Sequence, residues 1–415
     1  LEYLGVAHAM RAFIYMDMVR MYEYKKTGVD KLDNEAQTNN VYGLAVPVVT
    51  PGMKESDARN NPRQPYYVIY EMIFNDLNKA EELLKDYKRS AKNIINLSVI
   101  YGIKFLFDHK CGFKIASKED CYKNAADYAR QAITTSGANP LSKNEWYGGS
   151  NYAEGFNSVN TSAWMWGTIM VAENLWQGWR SFTGNMSSEQ RYGVGGPTYG
   201  TYRLVDKQLF EKIPEADWRK TTWIAPEDAK KAPAGNYKTV LPDEDFKKLT
   251  AYTSLKFKPR NGNIKTETEG AVTDYPLMRV EEMYFIEAEA LAGVKGLQSG
   301  IDALESFMNT YRYDTNIATY KCNTASLSEF QNELMIQKRI EFWGEGVVYW
   351  DYKRLEMQIV RGYSGTNAHT GYRFNSLEGY CAPWLNVCLS RYEVQHNPAT
   401  IQSPDPSLAI TEWTE

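Results

Sequence analysis

The sequence predicts a mostly α-helical chain, with helix pairs forming a scaffold around an irregular, loop-rich insert that contains short β segments. Three observations predict this. Apolar residues recur at helical spacing over residues 4–24, 66–87, 95–109, 122–137, 280–291, 301–311 and 327–342. Between residues 144 and 275 that periodicity fades, while glycines and aromatic residues become dense. The 415 residues, 43% of them hydrophobic and 13% aromatic, are ample for a large core. The expected organisation is therefore a helical part over 1–143, the insert over 144–275, and a helical part with a tail over 276–415, together forming one compact unit.

Taken in order, residues 4–24 carry Val6, Ala9, Met10, Ala12, Phe13, Ile14 and Met18 on most sides, as a buried helix does. Arg11, Asp17 and Arg20 in that helix need partners or an exit to water. Residues 25–65, rich in Asn, Gly and Pro, read as one long loop, and such loops in compact domains are usually functional or disordered. The next helix spaces Ile69, Ile73, Leu77, Ala80 and Leu84. Two more follow, one over 95–109 and one with Tyr122, Ala126, Ala129 and Ile133 on a single face, ending near Gly137. Helix pairs joined by short turns suggest an α-hairpin scaffold of tetratricopeptide type. The full consensus repeat of about 34 residues is absent.

In the insert, WMWGTIMV at 164–171 reads as a strand and residues 226–248 read as exposed loop. Helices then resume. The run 274–293 places Val280, Tyr284, Ala288 and Leu291 on one side, with a stop at Gly293, and Ile301, Leu304, Met308 and Tyr311 space another helix. The stretch 327–357 begins with capping-box spacing between Ser326 and Glu329. It is apolar on several sides yet carries Lys338, Arg339, Glu341 and Glu345, so these charges need partners. Gly344 and Gly346 end this helix, and a short second segment follows with Trp350, Asp351 and Arg354.

Several function classes find little support. The net charge is −4 with no basic run, which argues against a nucleic-acid partner. The five cysteines have no metal spacing, although Cys381 and Cys388 are placed to bridge across a loop. Only four histidines are present, and they are scattered, which leaves little for a Ser-His-Asp or metal site. GVGGPTYG lacks dinucleotide-loop spacing. Asp243, Glu244 and Asp245 offer oxygen ligands, but three acidic residues specify a Ca²⁺ site poorly. No metal and no cofactor are expected. No membrane-spanning run is present. The chain starts inside a helix, so an N-terminal segment is expected to be missing.

The aromatic insert is the better lead. Seven of the eleven tryptophans lie there: Trp146, Trp164, Trp166, Trp176, Trp179, Trp218 and Trp223. Most are expected to fill the insert's own core, since large aromatics are mostly buried. An exposed indole or phenol face also packs on the C–H patches of a sugar ring, while Arg and amides bond the hydroxyls at the rim. Trp176, Gln177, Trp179 and Arg180 supply both parts within five residues, and Tyr192, Tyr199 and Tyr202 lie nearby in sequence.

The order of motifs resembles the SusD/RagB family of glycan-binding proteins. Lys338-Arg339-Ile340-Glu341-Phe342, Glu345-Gly346 and Asp351-Tyr352-Lys353-Arg354 look like that family's E-R-R-x-E-L-x-x-E-G-x-R-x-x-D-L-x-R, with Gln337 and Lys338 in place of E-R and Val348 in place of an Arg. YEMIFNDLNKAEELL, with Asp76 and Leu77, resembles Y-x-x-I-x-x-D-L-x-x-A-x-x-L-L. DYPLMRVEEMYFIEAEA, with Arg279, Glu282 and Glu289, resembles D-x-P-L-x-R-x-x-E-x-x-L-x-x-A-E-A.

The resemblance implies tetratricopeptide-like helix pairs and non-catalytic capture of an oligo- or polysaccharide, with some relatives serving peptide uptake. It also implies delivery to a SusC-like TonB-dependent transporter by a lipoprotein of the outer membrane, surface-exposed or periplasm-facing, anchored through an N-terminal lipid. It places the glycan site on the insert's loops, with a contribution from the loop after the first helix, here Asn39, Asn40 and Tyr42. Arg279, Glu282, Glu289, Arg339, Glu341, Asp351 and Arg354 become structural, so Arg339→Ala is expected to lower stability rather than affinity. The alternatives are a helical glycoside hydrolase or lyase, which needs two carboxylates across one cleft, and a tetratricopeptide-like scaffold that binds only protein.

Overall fold

The small residues of the first helix decide how it packs. In the computed structural model, which describes residues 1–105, 117–175 and 177–414, α1 (Glu2–Tyr22) carries fully buried Ala9, Ala12, Met16 and Val19. It lies against a later helix, Tyr66–Leu84, close enough that a Cβ on Gly5 would come within 2.7 Å of Leu84. Asp76 of that partner is buried and accepts from Arg11 at 2.7 and 2.6 Å, with His8 Nδ1 at 2.7 Å from its Oδ1. The Arg11 charge thus finds its counterion on the neighbouring helix. Arg20 pairs instead with Asp17 on its own helix, at 2.5 Å, and lies 4.6 Å over the Trp350 ring.

The segment between these helices departs from a plain loop. It contains α2 (Asp30–Thr38), with α3 (Tyr66–Leu84) following, and a single helical turn at Glu55–Ala58. Leu32 and Ala36 are the buried apolar residues of α2, too few for a period to be visible in the sequence. Next come α4 (Leu97–Phe105) and α5 (Lys118–Ser136). Cys111 and His109 lie outside the described residues. Cys381 and Cys388 are both free thiols, as are Cys121 and Cys322, so the bridge across the loop does not form.

Two strands pair antiparallel: β1 (Trp164–Thr168) and β2 (Tyr275–Arg279), with Trp164 opposite Arg279 and Thr168 opposite Tyr275. The run 274–293 is therefore not helical throughout. Its helix, α6 (Val280–Val294), starts after β2 and passes through Gly293, and the turn is made by Gly296 at φ +98°. α7 (Leu297–Tyr311) folds back on α6, and a Cβ on Gly300 would meet that of Ala292 at 2.5 Å. α8 (Leu327–Glu341) packs on both; Ser326 Oγ accepts from the Glu329 N–H at 3.2 Å, as the capping spacing predicts. α9 (Val347–Leu355) follows.

The chain divides into two compact units, one of Leu1–Tyr87, Ile103–Asn124 and Gly346–Glu415, the other of Lys88–Gly102 and Ala125–Glu345. This grouping differs from the three successive segments read from the sequence. α9 contacts α1, which brings the C-terminal part into one unit with the N-terminal helices.

The core of the second unit holds a network of charges. Glu341 accepts from Arg312 Nε at 2.8 Å and Nη2 at 2.9 Å, and from Arg219 Nη1 at 2.9 Å. Arg279 reaches Glu281 at 2.9 Å and Glu345 at 2.8 Å, and Lys256 donates to Glu345 at 2.6 Å and to the Glu341 and Trp343 carbonyls. Arg219 also pairs with Asp217 at 2.6 Å, and Arg312 reaches Glu281 at 3.2 Å. Four cations thus meet four carboxylates, all buried or nearly so.

Arg339 does not join this network, which corrects its expected role. It is about a third exposed, and its carboxylate partner, Asp206, is 4.0 Å away. Glu289 accepts from Gln331 at 3.0 Å, and Glu282 is half-buried on α6. Asp351 and Arg354 belong to the first unit, where Arg354 Nε donates to Asp351 at 2.9 Å within α9.

Burial acts to raise the Glu341 and Glu345 carboxyls, but the surrounding guanidiniums and the Lys256 ammonium outweigh it and hold both below the usual range. A depressed folded value means stability that is complete above the unfolded carboxylate range, about pH 4, and lost as pH falls below it. The urea midpoint of unfolding is expected to drop below about pH 4, and Glu341→Gln is expected to flatten that acid limb. An identical limb in the variant would contradict this assignment.

Candidate functional site

The Gly-rich stretch of the insert folds around its own polar residues. Ser187, Ser188, Glu189 and Gln190 are each fully buried. Glu189 is paired with buried Lys258 and accepts from Thr239 Oγ1 at 2.6 Å and the Val240 N–H at 2.9 Å. Gln190 donates to the Gly184 and Ser187 carbonyls, at 3.1 and 3.2 Å, and accepts from the Gly193 N–H. Burial brings the Lys258 amine below its usual value, opposed by Glu189. A loop held by this many buried hydrogen bonds is fixed in shape, because breaking any one leaves a desolvated polar group.

Glycines allow the close approach. A Cβ on Gly193 would stand 2.3 Å from the Gly184 carbonyl oxygen, and one on Gly196 only 1.7 Å from that of Gln190. Gly196→Ala must therefore push backbone apart. It is expected to cost about 1–3 kcal/mol and to raise hydrogen exchange locally over 184–200. Unchanged melting and exchange would show that the loop is not held this way.

What the braced loop presents is Trp179. It sits in a short helical turn, Gly178–Arg180, whose end is fixed by Ser181: its Oγ donates to the Gly178 carbonyl at 2.6 Å and accepts from the Gly184 N–H at 3.0 Å. Trp179 is 39% exposed, more than any other tryptophan among the described residues. The exposed Arg180 guanidinium lies 4.4 Å over its ring and orients the indole. Tyr199, 62% exposed, follows the turn that starts at Gly196.

The other residues singled out in the sequence fall differently. Trp176 lies outside the described residues. Tyr192 is half-buried, with its hydroxyl enclosed beside Gly270 and its pKa raised by burial and then by Glu267. Tyr202 packs against the apolar cluster of Ile224, Phe246 and Leu255. Both tyrosines are packing residues rather than open faces. Trp146, Trp164, Trp166 and Trp223 are buried, and Trp218 is half-buried.

Asn39 and Tyr42 belong to the first unit. Tyr42 is 40% exposed, and its hydroxyl donates to the Asp33 carbonyl at 3.1 Å; burial and Asp33 push its pKa up to about 12. Asp245 is taken up by Arg191 at 2.5 Å and Lys248 at 2.7 Å, which removes it from an oxygen-ligand set. The polar knot at 187–190 had no periodic signal in the sequence, and Lys258 had none at all.

A mostly helical scaffold with a small two-stranded pairing and a loop-braced aromatic insert is an architecture shared with solved structures. The model of the SusD family matches residues 123–380, more than half of the chain, and the chain belongs to the SusD family. A SusD-like carbohydrate binding protein from Bacteroides vulgatus superposes with a TM-score of 0.64 at 20% identity, over 95% of this chain and 76% of that one. A SusD superfamily protein from Bacteroides thetaiotaomicron gives 0.63 at 16%, over 97% and 77%. One from Parabacteroides distasonis gives 0.61 at 16%, over 96% and 78%. At these identities the likeness shows the fold. No curated protein matches the chain in sequence. No described helix is long and apolar enough to cross a membrane.

Proposed function

We propose that this protein captures oligosaccharides without chemical turnover, at the surface of the outer membrane, and delivers them to a SusC-like TonB-dependent transporter. Membership of the SusD family supports the role. The observation that carries it is Trp179, exposed and oriented by Arg180 on a loop whose polar core is fully buried. A fixed aromatic face loses little conformational freedom on binding, which is what a sugar ring with weak individual contacts requires. Arg180 stacks on one face of that indole, and exposed Tyr199 adds a second aromatic ring from the same insert.

Affinity-gel electrophoresis against a panel of neutral and acidic polysaccharides tests this reading. Retardation by at least one polymer is expected. A folded protein retarded by none would overturn it. Release of new reducing ends in the same mixtures would favour a hydrolase instead.

A further inference from the structure

The turn that carries Trp179 lies against a carboxylate that the fold itself does not use. A short helical turn, Glu267–Gly270, packs on Gly178–Arg180. Gly178 is buried, and a Cβ on it would stand 2.5 Å from Glu267 Cβ and 3.1 Å from Glu267 Cδ. The missing side chain at Gly178 is what admits Glu267 beside the tryptophan.

The neighbouring charges are taken up elsewhere. Glu269, on the same short turn, accepts from Asn263 Nδ2 at 2.5 Å. The Arg180 guanidinium is drawn over the Trp179 ring. Glu267 makes neither a hydrogen bond nor an ion pair among the described residues. It is half-buried, yet its oxygens are not among the enclosed atoms, so they are open to water. The Tyr192 hydroxyl is close enough for the Glu267 charge to act on it, but is enclosed and makes no hydrogen bond to it. Gln177, at the start of the Trp179 turn, adds an enclosed Oε1 with no partner.

An ionised carboxylate can only accept, through two oxygens side by side. One that is partly desolvated and lacks a donor is held at a cost, which donors recover when they reach it. Two adjacent hydroxyls of a sugar ring are such donors. A uronate would bring a second negative charge to the same acceptor, and like charges brought together oppose binding.

We propose that Glu267 is a specificity-determining residue of the Trp179 site. Its carboxylate accepts from two neighbouring hydroxyls of the sugar that packs on the indole, and so selects a neutral sugar that keeps those hydroxyls free. The inference rests on the carbohydrate reading above and deepens it to a sugar class.

The test is calorimetric titration of the native chain, Glu267→Ala and Glu267→Gln with maltohexaose, cellohexaose, mannohexaose, xylohexaose and laminarihexaose, beside hexagalacturonate. At least one neutral sugar is expected to bind, more tightly than hexagalacturonate. Glu267→Ala should weaken that binding roughly tenfold or more. Glu267→Gln keeps the carbons that pack on Gly178 but loses the charge and one acceptor, and should weaken it about fivefold or more. Both variants should melt as the native chain does, since no described group pairs with Glu267. Native affinity in Glu267→Ala overturns the inference. Native affinity in Glu267→Gln does so too, because the side chain would then act by packing alone. Preference for hexagalacturonate overturns the inference and leaves the proposed function standing. Binding of none of these sugars by the folded chain also overturns it, whereas the proposed function falls only if no polymer retards the chain in the gels.

Discussion

Replacing Glu341 by alanine is expected to lower the free energy of unfolding by about 3–5 kcal/mol, measured by urea denaturation at neutral pH. The carboxylate is fully buried and accepts from Arg312 twice and from Arg219 once. Removing it leaves Arg312 and Arg219, both with fully buried side chains, short of a counterion they share. Two desolvated guanidiniums lacking that charge cost far more than the lost contacts themselves. Arg339→Ala, only two residues away in sequence, is the control. Its side chain is partly in water with its carboxylate partner at 4.0 Å, so the change should stay within about 1 kcal/mol. Equal losses in the two variants would mean that the network does not hold the core as described.

Trp179→Ala is the second large effect, and it should appear in binding alone. A sugar face covering roughly 60–80 Å² of indole contributes about 1.5–2 kcal/mol at about 25 cal/mol/Å². That corresponds to a roughly ten- to thirtyfold loss of affinity. Stability should change little, because the side chain is 39% exposed and the loop beneath is held by Glu189, Gln190 and Lys258 rather than by the indole. Calorimetry with the preferred glycan, beside a thermal melt, separates the two readouts. A large drop in melting temperature would make Trp179 a packing residue like Trp146, whose indole N–H donates to Thr222 inside the core at 3.0 Å.

The helices were legible because their apolar residues repeat with the helical period over ten or more positions, as in α1, α3 and α8. The short α2 escaped notice, with only Leu32 and Ala36 as buried apolar residues. Strand β2 was hidden because YPLMR runs directly into a strong helical pattern. The charges of 327–345 announced that partners were needed, but not which ones. Arg219 and Arg312 come from a short turn and a helix end far away in sequence, and no local pattern marks them. The same limit applies to the candidate site. Composition pointed to the aromatic insert, yet whether an individual ring faces water or core depends on loop geometry. Tyr192 and Trp179 stand thirteen positions apart in one Gly-rich stretch and differ in that respect.

The most direct test of non-catalytic glycan capture through Trp179 is isothermal titration of the native chain and of Trp179→Ala with the same oligosaccharides, with reducing ends followed in each cell. Saturable binding by the native chain is expected, with at least tenfold weaker binding by the variant at an unchanged melting temperature and a constant count of reducing ends. Equal affinity in the two proteins, or a rising count of reducing ends, would contradict it.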